Sequence, residues 1–272
     1  MNEHWNDAFI LKEIQREELK ILKEVAALCE KHGLRYTIYC GTLLGAVRHH
    51  GFIPWDDDVD LAMPLQDYRK FLCLADELPS RYSVANMDNS DHFPLAWSQV
   101  YDNQTDLTVE GSVRLTANKE QSLVFIDIYP FIGAFSTRTG QMFQRTLLRI
   151  AYAVRLADDK SILLSKPDWM KTCVYLAIKL ISIFPLSFRA AFSRLCRNAA
   201  FLDPAKHKMI GTVDAAPFRG KYSVDDWKEM TKLQFEDSSF NAPVKYDLIL
   251  RIMYWDYMQL PAENMRQPPH YK

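Results

Sequence analysis

The sequence predicts an α/β or α+β core followed by a helical subdomain. Strand-like and helix-like segments are mixed in the first half of the 272 residues, whereas helical patterns dominate after about residue 138. Hydrophobic residues make up 48% and charged residues 25%, ordinary values for a globular chain with a full core. We therefore divide the chain into a core over 1–137, a helical subdomain over 138–205 and a C-terminal segment over 206–272 that packs back on the core.

The individual elements follow from hydrophobic spacing and from breaker residues. Apolar residues at helical spacing between Leu11 and Leu28 predict a first helix over Asn6–His32, which Gly33 ends. The elements predicted after it in the core are a strand at Arg35–Cys40, a turn at Gly41–Thr42, a helix at Leu43–His49, a strand at Asp56–Met63, a helix at Leu65–Leu78 and strands at Leu95–Val100 and Leu123–Tyr129. The segments predicted beyond the core are helical structure over Gln141–Phe201 with breaks at Pro167 and Pro185, and a last helix over Pro243–Tyr257.

Charge and cysteine content narrow the classes of function. The chain has 33 basic and 34 acidic residues, so it lacks the basic excess that marks a nucleic-acid-binding protein. Its five cysteines are widely spaced and form neither a disulfide framework nor a zinc pattern, which favours a reducing compartment. The segment Met1–Lys20 is rich in charges and lacks the apolar stretch of a signal peptide. We therefore expect a cytoplasmic protein without a nucleic-acid partner.

The densest group of chemical side chains is the acidic run from Asp56 to Asp60. On a strand, Asp58 and Asp60 project to the same face, about 6–7 Å apart, whereas Asp57 points to the opposite face. Asp56 joins the first pair if the strand begins early. Two carboxylates at this spacing are able to hold one divalent ion or to straddle two. The alternative is a solvated acidic loop.

A third carboxylate, Asp127, lies in the otherwise apolar segment Leu123–Tyr129. An ionised carboxylate in such a strand needs compensation, which a shared metal ion provides. Three carboxylates without a histidine or cysteine cluster favour a hard ion, Mg²⁺ or Mn²⁺, over zinc. The alternative is that Asp127 caps a loop or pairs with an arginine.

The turn at Gly41–Thr42 is a candidate phosphate site, because it follows a strand and opens a helix. Backbone N–H groups at a helix start bind phosphate, and glycine permits a close approach. The Thr42 hydroxyl and the forked guanidinium of Arg48 are further donors to the same anion. Such a turn more often has only a structural role. Its position just before the acidic run is what favours phosphate binding here.

The run from 41 to 61, GTLLGAVRHHGFIPWDDDVDL, resembles the signature of the LicD family of phosphocholine transferases, to which the fukutin-type proteins are distantly related. Four further segments resemble family elements: FIDIYP at 125–130, LQFE at 233–236, PVKYD at 243–247 and YWDYMQLP at 254–261. The resemblance covers roughly residues 10–135 and 230–262, and the helical middle is only generically similar.

This resemblance implies a nucleotidyltransferase-like fold with a mixed sheet. It implies a CDP-activated donor, usually CDP-choline, and a hydroxyl acceptor on a cell-surface glycan precursor such as lipopolysaccharide, teichoic acid or capsule. The residues that match the family's Mg²⁺ ligands, and hence the catalytic set, are Asp58, Asp60 and Asp127. The residues assigned to substrate binding are Gly41, Thr42, Arg48, Asp56, Asp57 and Glu236.

Two departures from the family pattern bear on the donor and acceptor. Gln99 stands where a lysine is frequent, which weakens or alters a phosphate contact. Trp255 stands where the family has a glycine, and a bulky indole is expected to reshape that turn. The alternatives are a metal-dependent glycosyltransferase that uses a nucleotide sugar, and a catalytically silent nucleotide-binding scaffold of the same fold.

The segment 169–197 combines apolar and basic residues but falls short of the ~20 apolar residues that span a bilayer. A helix pair that lies in the membrane interface fits this pattern, with basic side chains near anionic lipid. It would bring the site to a lipid-linked acceptor at the inner face of the membrane. The alternative is an ordinary buried helical hairpin.

Overall fold

The computed structural model describes residues 3–105, 124–155, 183–212 and 222–267, with side chains from Phe9 onward. The described α-helices are α1 Glu3–Lys31, α2 Cys40–His49, α3 Leu65–Cys73, α4 Arg138–Arg155, α5 Leu186–Ala200 and α6 Tyr246–Tyr254. The described strands are β1 Thr37–Ile38, β2 Asp60–Pro64, β3 Tyr82–Ala85, β4 Ser98–Asp102, β5 Phe125–Ala134, β6 Met209–Gly211, β7 Tyr222–Ser223, β8 Met230–Phe235 and β9 Ser238–Pro243.

Strands β1 to β7 form one mixed sheet around β5. The order along the sheet is β1-β2-β5-β4-β3, and β6 pairs with the far end of β5 and with β7. The pairing of β2 with β5 is parallel, whereas the other pairings described in this sheet are antiparallel. Strands β8 and β9 form a separate hairpin. This mixed α/β architecture confirms the predicted fold class.

The main hydrophobic core lies on the face of the sheet opposite to Asp60. Side chains alternate along β2, so Leu61 and Met63 point into this core and are fully buried. Helix α1 packs against β4 and β5 and places Ile21 and Leu22 in the same core. Asp60 and Asp127 lie on the opposite face of β2 and β5, where both are buried as well.

Two predicted boundaries near the acidic run are wrong. Strand β2 begins at Asp60 rather than at Asp56, because the Asp56 N–H donates to the Ile53 carbonyl in a turn. Gln15 on α1 also donates to the Asp56 carbonyl at 2.7 Å, which holds the segment off the sheet. Helix α2 begins at Cys40, so Gly41 and Thr42 lie in its first turn rather than in a separate turn.

Helices α4 and α5 pack antiparallel, as their cross-contacts show. The Ser193 hydroxyl donates to the Ala151 carbonyl at 2.7 Å, and the Gln144 amide donates to the Ala200 carbonyl at 2.8 Å. In the parts of the chain that are described, no helix is both long and apolar enough to cross a membrane. Of the segment 169–197, residues 169–182 lie outside the described residues, and 186–197 belong to α5.

Candidate active site

Two of the predicted metal ligands are direct neighbours across the sheet. Asp60 on β2 is the register partner of Asp127 on β5, and the Asp127 N–H donates to the Val59 carbonyl at 2.8 Å. Side chains that pair in register on adjacent strands point to the same face, about 5 Å apart. Both carboxylates are buried. The parallel pairing therefore concentrates two negative charges at one point of the sheet.

The surroundings of Asp127 are apolar apart from a few hydrogen-bonding groups. Burial raises the pKa of the Asp127 carboxyl to about 6, and the negative charge of Asp58 acts in the same direction. The Gln99 amide, on the opposing residue of β4, lowers this pKa. The Tyr129 hydroxyl donates to Asp127 Oδ2 at 3.2 Å. Burial thus disfavours the ionised form of Asp127, an effect that a nearby cation would offset.

The N-terminus of α2 lies against the acidic run. Cys40 has a φ of +42°, a strained value that turns the chain sharply from β1 into the helix. A Cβ on Gly41 would lie 2.6 Å from Asp56 Oδ2 and 3.8 Å from Asp58 Oδ1. Only glycine permits this approach. The positive end of the helix dipole therefore meets the carboxylates of Asp56 and Asp58.

Thr42 connects the helix to the acidic strand. Its hydroxyl oxygen accepts a hydrogen bond from the Asp60 N–H at 2.8 Å, and its side chain is buried. The predicted phosphate donor thus has a positioning function in this structure, because it fixes the start of β2 relative to α2.

The donor set fits a hard divalent ion that a phosphate helps to bind. Asp127 Oδ1 is buried and accepts no hydrogen bond from any described residue. Within the described ranges, no three carboxylate, histidine or cysteine side chains converge closely enough to hold an ion by themselves. Mg²⁺ is usually bound by one or two carboxylates together with substrate phosphates, rather than by a complete protein cage. Asp60 and Asp127, with Asp58 beside them, match this mode of Mg²⁺ binding.

Two residues near the site were missed in the sequence analysis. Glu18 on α1 is only 2% exposed, and burial raises its pKa well above the usual value, with the charges of Asp58 and Asp57 adding to the effect. It shares a helix face with Ile14 and Leu22. A carboxylate on an otherwise apolar helix face was therefore the pattern from which Glu18 could have been predicted. Tyr254, at the end of α6, is half-buried, and burial, together with the charges of Cys40 and Asp60, raises its pKa.

The structure engages Arg48 and Glu236 with other parts of the protein. Arg48 donates from Nη1 to the Tyr257 carbonyl at 2.8 Å and from Nε to His49 Nε2 at 2.9 Å. Glu236 accepts at Oε1 from the Phe52 N–H at 2.9 Å. Both residues therefore join the C-terminal segment to the 48–52 region beside the acidic run. Asp57, which belongs to that run, is buried, at 6% exposure.

The comparisons with known proteins agree with this geometry. A family profile described as LicD/FKTN/FKRP, nucleotidyltransferase domain, matches residues 33–158. The lipopolysaccharide cholinephosphotransferase LicD of Haemophilus influenzae is 28% identical to this chain over 269 residues, which cover 96% of each protein. The resemblance of this chain to the LicD family is therefore confirmed. The matched range contains α2, the acidic run and β5, and hence all three predicted metal ligands.

A second relative, which matches about half of this chain, is mammalian. The human ribitol 5-phosphate transferase FKRP is 30% identical over 134 residues, which cover 48% of this chain and 23% of FKRP. An uncharacterized protein of Rickettsia prowazekii, RP689, is 46% identical over 48 residues, or 18% of each chain. By their names, LicD and FKRP both transfer a phosphate-bearing group.

The two departures from the LicD pattern have different structural contexts. Gln99 lies opposite Asp127, and its Oε1 accepts from the Tyr101 hydroxyl, so a neutral amide faces the carboxylate. Trp255 has φ +58° and ψ −110°, a conformation that favours glycine, and its indole is 86% exposed. The turn thus takes a backbone conformation suited to glycine despite the large side chain, which extends into solvent.

A cavity of about 670 Å³ opens on the same side of the sheet as the carboxylates of Asp60 and Asp127. Ala62 and Phe131 line it, and they follow Asp60 and Asp127 on the same faces of β2 and β5. Trp227 forms an aromatic wall with Phe131, at 4.4 Å between ring centroids. Its cationic lining residues are Arg35, Lys208 and Lys228.

Proposed function

We propose that this chain transfers a phosphocholine-type group from a CDP-activated donor to a hydroxyl of a cell-surface glycan precursor, with Mg²⁺ or Mn²⁺ as cofactor. The register pairing of Asp60 with Asp127, beside the glycine at the start of α2, carries the proposal. The names of LicD and FKRP, both phosphate-group transferases, support the reaction class.

Asp58, Asp60 and Asp127 would hold the ion, which would supply positive charge to offset the negative charge of the donor diphosphate and of the CMP leaving group. The carboxylates of Asp56 and Asp58 occupy the positive end of α2. A diphosphate approaching the same helix end would meet these negative charges, and a bound cation would offset the repulsion. The helix N-terminus then fixes the phosphate for in-line attack by the acceptor hydroxyl. One of these aspartates would accept the hydroxyl proton.

The donor we favour is CDP-choline, because two half-buried aromatic rings flank Asp127. Trp97 and Tyr129 have ring centroids 5.0 Å apart with an interplanar angle of 31°. A quaternary ammonium group within about 6 Å of such rings is bound by cation–π attraction. A neutral alcohol such as glycerol gains nothing from these rings. Trp97→Leu should therefore weaken use of CDP-choline more than use of CDP-glycerol.

The cavity beside Phe131 and Trp227 is the acceptor site in this proposal. Its volume lies within the range of small-ligand pockets, about 300–1,000 Å³. An aromatic wall suits the apolar face of a sugar ring, and the cationic lining suits an anionic glycan. Substitution of Lys208, an exposed member of this lining, by glutamate should raise KM for the acceptor and leave KM for the donor unchanged.

The reaction class is tested by CMP release. Purified protein is incubated with Mg²⁺ and, separately, CDP-choline, CDP-ribitol, CDP-glycerol and CDP-ethanolamine, with a cell-surface glycan extract as acceptor, with and without EDTA. We expect EDTA-sensitive CMP release that is fastest with CDP-choline. Asp58→Ala and Asp60→Ala should abolish it while the circular dichroism spectrum is unchanged.

Turnover at the wild-type rate in either aspartate variant would refute the site assignment. Release from no CDP-alcohol, with binding of UDP-sugars instead, would favour the nucleotide-sugar glycosyltransferase. Absence of any Mg²⁺-dependent nucleotide binding would favour the silent scaffold.

A further inference from the structure

Helix α5 carries its large apolar residues on its exposed face, whereas an ordinary packed helix buries such residues. Phe184, just before the helix, and Phe188, Phe192 and Leu195 recur at helical spacing and are 50%, 55%, 43% and 65% exposed. Three arginines lie on the other side of the helix, and two of them are buried. Large apolar side chains that line up on an exposed face indicate that something apolar covers them.

The inward arginines of this helix pair have a defined structural use. Arg194 donates to the Met87 carbonyl at 2.8 Å, and Arg197 donates to Asp88 at 2.6 Å. From α4, Arg155 donates to the carbonyl of Ser90 at 2.6 Å. These bonds fix α4 and α5 to the loop between β3 and β4. The outward orientation of the aromatic stripe is therefore set by polar contacts on the opposite side.

Helix α4 continues the exposed apolar surface and adds positive charge. Met142, Phe143 and Ile150 are 59%, 59% and 37% exposed. The two helices contain four and three arginines and no acidic residue, and Arg138 and Arg149 are exposed. An apolar surface with positive charge and no negative charge on its helices is complementary to an anionic bilayer surface.

We infer that the exposed side of α4 and α5 is a docking surface for an anionic lipid bilayer. The aromatic stripe of α5 enters the boundary between headgroups and acyl chains, while Arg138 and Arg149 face the anionic headgroups. The chain that follows α5 leads within a few residues to Asp203 and His207, which line the cavity assigned to the acceptor. Docking would thus bring the cavity to a lipid-linked acceptor. Membrane docking itself does not depend on which donor the protein uses or on whether it turns over.

The test is flotation of the purified full chain with vesicles of phosphatidylcholine alone or of phosphatidylcholine with 30% phosphatidylglycerol, at low salt and at high salt. We expect binding to the anionic vesicles, weaker binding at high salt and little binding to the neutral ones. The double variant Phe188→Ser/Phe192→Ser should lower the apparent affinity at least tenfold. The matched control is Phe9→Ser on α1, which removes a phenylalanine of 63% exposure and should leave binding unchanged.

Wild-type affinity in the double variant, or equal losses in the double variant and the control, would overturn the inference. So would a dimer in sedimentation velocity that the double variant converts to a monomer, because a second copy would then be the occupant. A clear fall in Tm of the double variant would show that the chain itself covers the stripe. Arg149→Glu leaves the stripe intact and should weaken only the salt-sensitive part of binding, so the inference stays testable if the double variant fails to fold.

Discussion

Replacing Gly41 by alanine should separate activity from stability. The added Cβ would lie 2.6 Å from Asp56 Oδ2, whereas ordinary contacts begin at 3.4 Å, so the carboxylate must move by 3.4 − 2.6 = 0.8 Å. The clash is with the end of a side chain, which is able to rotate away. Alanine also favours the helix by up to about 1 kcal/mol over glycine. The free energy of unfolding should therefore change by less than about 1 kcal/mol.

The same displacement should be costly for the reaction. A misplacement of about 1 Å at a reacting centre is able to cost on the order of 10²-fold in rate, which corresponds to about 2.7 kcal/mol. The assay is EDTA-sensitive CMP release, accompanied by calorimetric titration of CDP in the presence of Mg²⁺. We expect a rate loss near 10²-fold together with weaker CDP binding.

The matched control is Gly45→Ala in the same helix. Its Cβ would lie 2.4 Å from the backbone carbonyl oxygen of Gly51, which is not free to rotate away. This variant should be destabilised by about 1–3 kcal/mol. A Gly41→Ala variant with activity within threefold of wild type, or one destabilised as much as Gly45→Ala, would refute the reasoning. The double variant G41A/D56A should lose no more activity than Asp56→Ala alone, because the clash is then absent.

Three further predictions follow from single side chains. Asp127→Asn should lower CMP release by on the order of 10³-fold but leave Tm in EDTA unchanged or higher, because a buried charge is removed; a large fall in Tm would contradict this. Trp255→Gly should relieve a strained φ and raise stability by about 1–3 kcal/mol in urea unfolding, and a destabilised variant would argue that the indole packs. Burial raises the pKa of Glu18, so its protonated form favours folding below the unfolded-state pKa, and this stability is lost as pH rises through the folded-state pKa. Glu18→Gln should therefore gain stability relative to wild type as pH rises; a gap independent of pH would exclude this account.

The elements found from sequence are those with a strong local period. The predicted helix Asn6–His32 corresponds to α1, and the predicted strand Leu123–Tyr129 overlaps β5. The hairpin β8–β9 was missed, because its turn depends on Glu236 in a left-handed conformation, φ +55°, that no local pattern marks. Strand β3 was missed as well, since its residues are half-exposed and it is held by pairing with β4.

The chemistry of the site was predictable in type but not in detail. The spacing of the aspartates and the apolar neighbours of Asp127 indicated a shared charge site, and the register of β2 with β5 supplies the contact that sequence lacks. The bonds of Arg48 and Glu236 depend on where the C-terminal segment returns, which is a tertiary fact. For the same reason, the hydrogen bond from Asp60 to Thr42 was not foreseen.

The central position of β5 has a consequence for how the protein folds during synthesis. The strands of the pairs β1–β2 and β3–β4 are all translated before β5, which lies between β2 and β4 in the folded protein. The ribosome adds 134 − 102 = 32 residues between the end of β4 and the end of β5, which takes about 2–6 s at ~5–20 residues per second. During this interval β2 and β4 lack the partner that covers their edges in the folded protein, and uncovered edges are sites for mispairing or aggregation. Slower translation of this interval should therefore lower the soluble yield.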